Sequence, residues 1–536
     1  MQTALIAINT KYIHPNMAIR LLKANTLHPV DLIEFNHKHS MESMINTICL
    51  KKYDVLSFSC YIWNIEIIKE LLDNIKDYIN ENNITVILGG PEVSYNAQHY
   101  LENGYADYVI KNEGEESFNL LLTYLNGYCD INDIPNLFHK NGFTFDKLVD
   151  IKNSKMAYDL LDDVENKIVY IETSRGCPYH CGYCMASLDN KLRFFDIEEI
   201  KRQILILIEK GAKVFKFLDR TFNAHKKNFI SLIDFIIEHH KENNSFQFEI
   251  TGDLLDDDVI EYINNHAPKK LFRFEIGIQS TNVKANRAVY RIQNNEKLFH
   301  NIRLIQDADV IDLHLDLIAG LPYEDYDSFV NTFNEVIDLR PKELQLGFLK
   351  LLKGTKLYQE REMYGYKFNQ NAPYDIICND FMSTSDIERI HIAEEALDIF
   401  YNKKYFKEAI NHLLDNTDSA LELFYELGHA FNNTTNIMER FKFLDEFVLN
   451  NYPNCYDEFH EKLILDYISF IPYKPASWWN ETISPKDRND LLRKYHEDNL
   501  LKYDLKSLFK YTLVIPLKTH TLVIYYKENN KEIYKL

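Results

Sequence analysis

Three cysteines, Cys177, Cys181 and Cys184, fall within eight residues of one another in the stretch Ile171-Glu172-Thr173-Ser174-Arg175-Gly176-Cys177-Pro178-Tyr179-His180-Cys181-Gly182-Tyr183-Cys184-Met185. The other five, Cys49, Cys60, Cys129, Cys378 and Cys455, stand alone. Three thiolates from one short loop can cap three irons of a cubane cluster and leave the fourth iron open to a small molecule. An electron-transfer cluster would want a fourth cysteine nearby, and the next, Cys378, is far along the chain. A structural zinc also needs a fourth ligand, and His180, inside the same tight loop, is poorly placed to complete a tetrahedron. The spacing therefore points to an iron–sulfur centre with an open, catalytic iron.

The elements that must position this loop can be read from periodicity. From Thr3 to about Leu125, short apolar runs (Ala4–Ile8, Val30–Phe35, Val55–Phe58, Val86–Leu88, Val109–Ile110) alternate with helical patterns near Ala18–Ala24, Met41–Leu50, Ile65–Ile79 and Ser117–Leu125. Such alternation predicts a doubly wound parallel sheet with helices on both faces. Small molecules bind such sheets at the carboxyl ends of the strands. Those ends carry Ser59 and Tyr61, then Gly89, Gly90, Pro91 and Glu92, then Glu113 and Gly114, all candidate binding residues. Residues 1–130 read as this domain and residues 131–164 as a linker with Pro135 and Gly142 as breakers.

A second βα series spans residues 165–360. Its strands alternate strictly, as in Phe246-Gln247-Phe248-Glu249-Ile250, Phe272-Arg273-Phe274-Glu275-Ile276-Gly277-Ile278-Gln279 and Asp312-Leu313-His314-Leu315-Asp316-Leu317. With helices between the strands, the apolar face belongs under the helices and the polar face lines a barrel interior, which puts Glu249, Arg273, Glu275, Gln279, His314 and Asp316 inside. Residues 361–536 read as mainly helical, with the pair Trp478-Trp479 and a closing β-hairpin from Thr512–Ile515 and Thr521–Tyr526. The lysines of the last stretch, including Lys502, Lys506, Lys510, Lys518 and Lys527, read as a solvated face.

Composition narrows the classes. The chain has 536 residues, 46% of them hydrophobic and 26% charged, which excludes a disordered, fibrous or single-module protein. The net charge of −20 repels polyanions, so a small-molecule substrate is expected rather than a nucleic acid. The first eight residues read as a strand rather than a leader, and no run of about 18 apolar residues predicts a membrane span. A reducing, cytoplasmic setting is expected, and disulfides are not.

The C-x3-C-x2-C loop after a strand resembles that of the radical S-adenosylmethionine (SAM) enzymes, whose fold is a partial (βα)6 barrel. Phe274-Glu275-Ile276-Gly277-Ile278-Gln279-Ser280 and Asp316-Leu317-Ile318-Ala319-Gly320-Leu321-Pro322-Tyr323-Glu324 look like the fourth- and fifth-strand motifs of the cobalamin-dependent branch. The N-terminal sheet is similar to the cobalamin-binding domain that precedes the barrel there. The resemblance implies a [4Fe-4S] cluster on Cys177, Cys181 and Cys184, SAM, and cobalamin. It also implies roles for Glu275 and Gln279 at the ribose or methionine part and for the fifth strand, with Asp316, beneath the adenine. The usual Gly-Gly-Glu after the second strand is replaced by Leu218-Asp219-Arg220-Thr221-Phe222-Asn223, so Asp219 or Thr221 is expected to take the methionine amine. No Asp-x-His-x-x-Gly motif supplies a histidine to cobalt, and His14 is expected to shape its loop. Cys60 and Trp63 are expected to face the corrin or pack beside it. The implied reaction begins with an electron from the reduced cluster, supplied by a donor such as flavodoxin or ferredoxin. SAM is then cleaved to methionine and a 5′-deoxyadenosyl radical that attacks an unactivated carbon, with methyl transfer the favoured outcome. The alternatives are a methylthiotransferase, which would carry a second cluster on three N-terminal cysteines, or a rearrangement or cyclisation enzyme.

Overall fold

The computed structural model describes residues 1–471, 483–517, 520–527 and 530–536. Trp478, Trp479 and Lys518 lie outside the described residues. The chain forms two compact units, Met1–Ile387 and Glu388–Leu536. Among the described residues, no helix is long and apolar enough to cross a membrane.

The first unit opens with β1 (Thr3–Asn9), β2 (Val30–Asn36), β3 (Val55–Ser59), β4 (Thr85–Gly89) and β5 (Tyr108–Ile110), ordered β2-β1-β3-β4-β5 and parallel throughout. Strand β1 shows why the sheet is wound on both sides. Ala4, Ile6 and Ile8 join one core with Leu56, Phe58 and Leu88, while Leu5 and Ala7 join the other with Val55, Ile87 and Phe118. Successive side chains point to opposite faces, so a continuous apolar strand needs two covers. The helical run expected over Ile65–Ile79 is two helices, Ile65–Asn74 and Lys76–Asn82, parted at Ile75.

Part of the stretch read as linker extends this sheet. Strands β6 (Leu137–His139) and β7 (Gly142–Phe143) add on antiparallel, with Phe138 and Phe143 rings 4.4 Å apart. Strands of three and two residues are too short to show a period.

Six further strands follow: β8 (Ile168–Ile171), β11 (Val214–Phe217), β12 (Ser245–Ile250), β13 (Phe272–Gln279), β14 (Asp312–Ala319) and β15 (Glu343–Phe348). Between β8 and β11 the chain forms a small antiparallel pair, β9 (Ser174–Arg175) and β10 (Arg193–Phe194). The six long strands are parallel and in sequential order, with β8 and β15 at the edges, as a partial (βα)6 barrel requires. The expected alternation holds: Phe246, Phe248, Phe272 and Phe274 are fully buried on the helix-covered face, and Glu249 and Glu275 lie on the other. Stacked rings, such as Phe215 on Phe246 at 4.6 Å, knit that face. A short pair, β16 (Lys367–Phe368) with β17 (Ile376–Cys378), closes the first unit. Residues 361–387 pack in this first unit, where Tyr366 and Asn379 donate to the Gly320 carbonyl at 2.8 and 3.0 Å.

The second unit is helical, including Ala420–Ala430, Ile437–Asn451 and Tyr456–Phe470, and ends in β18 (Thr512–Pro516), β19 (Thr521–Lys527) and β20 (Asn530–Lys535). The expected hairpin is present as β18 and β19, and β20 adds to it as a third antiparallel strand. The charged run Lys531-Glu532 hides the third strand, because charged side chains on an edge strand leave little apolar pattern. Lys502, in the loop before the last helix, stays exposed and pairs with Glu532 on β20.

Candidate cofactor site

The cysteine loop leaves β8 and is fixed at its root by Asp219. The backbone N–H and hydroxyl of Thr173 donate to that carboxylate at 3.0 and 2.5 Å, and the Ser174 hydroxyl donates at 2.5 Å. Asp219 is 1% exposed and its carboxyl is pushed up by burial. With three donors from the preceding strand end already on its oxygens, Asp219 holds the loop in place. The loop then turns at Gly176, whose φ of +88° suits glycine, and whose added Cβ would lie 2.6 Å from the Lys191 carbonyl oxygen. Cys177 N–H donates to Asp189 O at 3.0 Å, and Gly182 N–H to Val289 O at 2.8 Å.

Cys177 and Cys181 are buried, Cys184 partly so, and no cysteine forms a disulfide. Thr221 Oγ1 stands 3.7 Å from Cys177 Sγ, and Arg291 Nη1 stands 4.0 Å from Cys181 Sγ. Among the described residues, no three His, Cys, Asp or Glu side chains converge as a single ion would require. Separate corner irons of a cubane hold their thiolates apart, so three thiolates spaced along one loop fit an iron–sulfur cluster.

Beside the loop lies a cavity of about 1060 Å³. Its walls are the carboxyl ends of β1, β3, β4 and β5 on one side and the segments around Gly176, Met185 and Arg220 on the other. Of the residues expected to bind cofactor, Ser59, Tyr61, Gly89, Gly90, Pro91, Glu113 and Gly114 line it. Glu92 does not: it turns away to accept a hydrogen bond from Tyr374. Gly90 has a φ of +115°, and a Cβ there would sit 2.4 Å from the Cys60 carbonyl oxygen, so the backbones of two loops touch at the cavity floor. Tyr61 stacks on Trp63 at 4.3 Å, making an aromatic wall, while Cys60 is fully buried behind it. His14 also lines the cavity, but its Nδ1 is 2.6 Å from the Tyr170 hydroxyl and its backbone closes a turn to Lys11, so it ties its loop to β8. These walls, polar at the strand ends and aromatic at one side, fit a large planar cofactor with polar arms.

Asp219, Thr221, Glu249, Glu275, Gln279 and Asp316 lie outside the cavity lining. On the inner face of the barrel, Glu275 pairs with Lys216 at 3.0 Å, Glu249 faces Arg220 at 3.6 Å, and Asp316 meets His314 at 2.9 Å. Burial raises the Glu249 carboxyl. Gln279 sits at a register shift between β13 and β14 with a φ of +67°, and its Oε1 is buried without a partner. A buried acceptor left open in this way can take a donor from a bound ligand.

Sequence reasoning missed the charge network that joins the two domains. Arg175 donates to Glu172 at 2.9 and 3.0 Å, to Glu115 at 2.7 Å and to Glu113 at 3.2 Å. Arg193 grips both oxygens of Glu113 at 2.8 and 3.0 Å and reaches Asp189 at 2.6 Å. Burial alone would raise the Glu113 carboxyl, but the two guanidiniums outweigh it and hold it below its usual range. The loop after β5 is thereby bolted to the β9–β10 pair that frames the cysteines. The available signal was Arg175 itself, adjacent to Gly176-Cys177.

Family models agree with this geometry. A B12 binding domain matches residues 3–122, the radical SAM superfamily matches residues 171–336, and a protein of unknown function (DUF4080) matches residues 362–531. This chain is a radical SAM protein with a B12-binding domain. It is 23% identical over 341 residues to the cobalamin-dependent radical SAM methyltransferase TokK of Streptomyces tokunonensis, covering 59% of this chain and 50% of that one. It is 22% identical over 324 residues to the 2-(S-pantetheinyl)-carbapenam-3-carboxylate methyltransferase of Streptantibioticus cattleyicolor, covering 53% and 45%. This radical SAM protein thus spans about half the length of those relatives. Its fold is that of the cobalamin-dependent radical enzyme OxsB, with a TM-score of 0.62 at 15% identity over 92% of this chain and 84% of that one. The radical SAM methyltransferase TsrM of Kitasatospora setae aligns with a TM-score of 0.57 at 14% identity, over 69% and 81%.

Proposed function

We propose that the protein is a cobalamin-dependent radical SAM methyltransferase acting on an unactivated carbon of a small molecule. The observation that carries this reading is the single cavity bordered by both the strand ends of the N-terminal sheet and the cysteine loop. When bound, the cluster with SAM would supply a hydrogen-abstracting carbon radical, and cobalamin a transferable methyl group. The chain's own residues do the rest. Cys177, Cys181 and Cys184 would hold the cluster, and Asp219 with Gly176 fixes their loop. Ser59, Tyr61, Gly89, Gly90, Pro91 and Gly114 would seat the corrin. Glu249, Glu275, Gln279 and Asp316 offer the acceptors and donors of the barrel interior to SAM, with Thr221 beside Cys177. The free cysteines suit a reducing compartment such as the cytoplasm, where a flavodoxin- or ferredoxin-type donor would supply the electron.

A methylthiotransferase would need a second cluster, but the loop after β1 reads Thr10-Lys11-Tyr12 without cysteine. Cys60 lies in the core, and Cys49 ends the helix Met41–Cys49 packed against it. Anaerobic reconstitution should therefore give about four irons per chain, where a two-cluster enzyme would give about eight. Exchange of Cys177, Cys181 or Cys184 for Ala should abolish the brown chromophore and 5′-deoxyadenosine formation. An unaltered spectrum in those variants would refute the assignment.

A further inference from the structure

The outer side of the cysteine loop carries a charge reversal. Between Glu275 and Glu296 the chain has no acidic residue and three cations, Lys284, Arg287 and Arg291, in a protein of net charge −20. This segment lies directly against the loop: Val289 O accepts from Gly182 N–H at 2.8 Å, and an added Cβ on Gly182 would meet the Tyr290 ring at 3.3 Å. Gly182 sits between Cys181 and Cys184, and Arg291 points inward at Cys181. The remainder faces out. Lys284 and Arg287 are exposed, and so are Val283 (54%), Tyr290 (42%) and Ile292 (84%). Lys356 adds a cation over the Tyr290 ring at 4.3 Å. Of the carboxylates nearby, Glu360 is engaged by Lys356 at 3.5 Å and by the Tyr290 hydroxyl at 3.2 Å, and Asp253 accepts from the Asn294 backbone N–H at 2.8 Å. Apolar side chains ringed by cations, over the loop that would hold the cluster, have the composition of a contact for a transient protein partner.

We infer that this face, Val283–Ile292 with Lys356, is the docking surface for a small acidic one-electron carrier protein that reduces the cluster. The inference rests on the function proposed above. An acidic carrier is repelled by the chain as a whole, so a productive encounter needs a local reversal of charge, and complementary patches act chiefly on the rate of encounter. The step moves one electron from the reduced carrier to the oxidised cluster, with no bond made or broken.

The test compares two reductants on the reconstituted protein: reduced flavodoxin as the acidic carrier, and photoexcited 5-deazariboflavin, an uncharged small molecule. Bleaching of the iron–sulfur absorbance is followed under anaerobic stopped flow. In the variant Lys284→Glu/Arg287→Glu, flavodoxin should reduce the cluster at least tenfold more slowly, and deazariboflavin at the unaltered rate. In the native protein the flavodoxin rate should fall as salt rises. The milder Lys284→Gln/Arg287→Gln should fall between the two with flavodoxin. An unaltered flavodoxin rate in the Glu variant overturns the inference, as does an equal loss with both reductants. A native chain that assembles no cluster overturns the proposed function itself, which iron analysis reads before any reductant is added.

Discussion

Burial without a cation sets the behaviour of Glu324. Its side chain is fully buried at the end of the fifth-strand motif, and its oxygen accepts from the hydroxyls of Ser280 and Thr332. Burial pushes the carboxyl up to about 7 from 4.5. A folded-state value above the unfolded one contributes stability that is fully present below about pH 4.5 and is lost as pH rises through about 7. Glu324→Gln, which cannot ionise, should therefore gain on the native protein between pH 5 and pH 8, by up to about 3 kcal/mol. Unfolding midpoints at the two values check this, and parallel pH profiles would exclude it. The sequence showed the Gly320-Leu321-Pro322-Tyr323-Glu324 pattern but not the buried state of its last residue, which depends on β13 and on the helix Tyr326–Ile337 closing over it. The cysteines were legible for the opposite reason: their meaning lies in spacing along a single loop.

At the scale of elements, long strands were legible and short ones were not. Strands β1, β12 and β13 announce themselves through unbroken apolar runs or strict alternation, whereas β6, β7 and β20 are too short or too charged to show either. The β9–β10 pair belongs to the second group, although it frames the cysteine loop. Arg193 on β10 meets Glu113, 80 residues earlier, and no local pattern pairs residues so far apart. Because Arg193 and Glu113 are both mostly buried, removing either leaves the other with only its second partner, Arg175 for Glu113 and Asp189 for Arg193. Arg193→Ala and Glu113→Ala should each destabilise the first unit by roughly 2–4 kcal/mol, and the double variant by less than their sum. Denaturant midpoints across the four proteins give the coupling. Strict additivity would show that the bridge between the domains carries none.

For the molecule as a whole, the division into sheet domain, barrel and helical region could be read from the sequence. The packing of residues 361–387 against the barrel could not, because it is made by single contacts such as Tyr366 to Gly320. A ligand seated between the sheet and the barrel should stabilise both. Aquacobalamin at a hundredfold excess over its Kd should add about 2.7 kcal/mol, visible as a rise in the thermal midpoint of the anaerobic protein. An unshifted midpoint would indicate an N-terminal domain without this cofactor. The shared cavity also bears on heredity. Neither the sheet nor the barrel can pass the site on alone, since Glu113 comes from one and Arg175 and Arg193 from the other. A chimaera joined anywhere between 113 and 193 would have to bring both halves of that bridge from compatible parents. The two domains are therefore expected to have diverged as a pair.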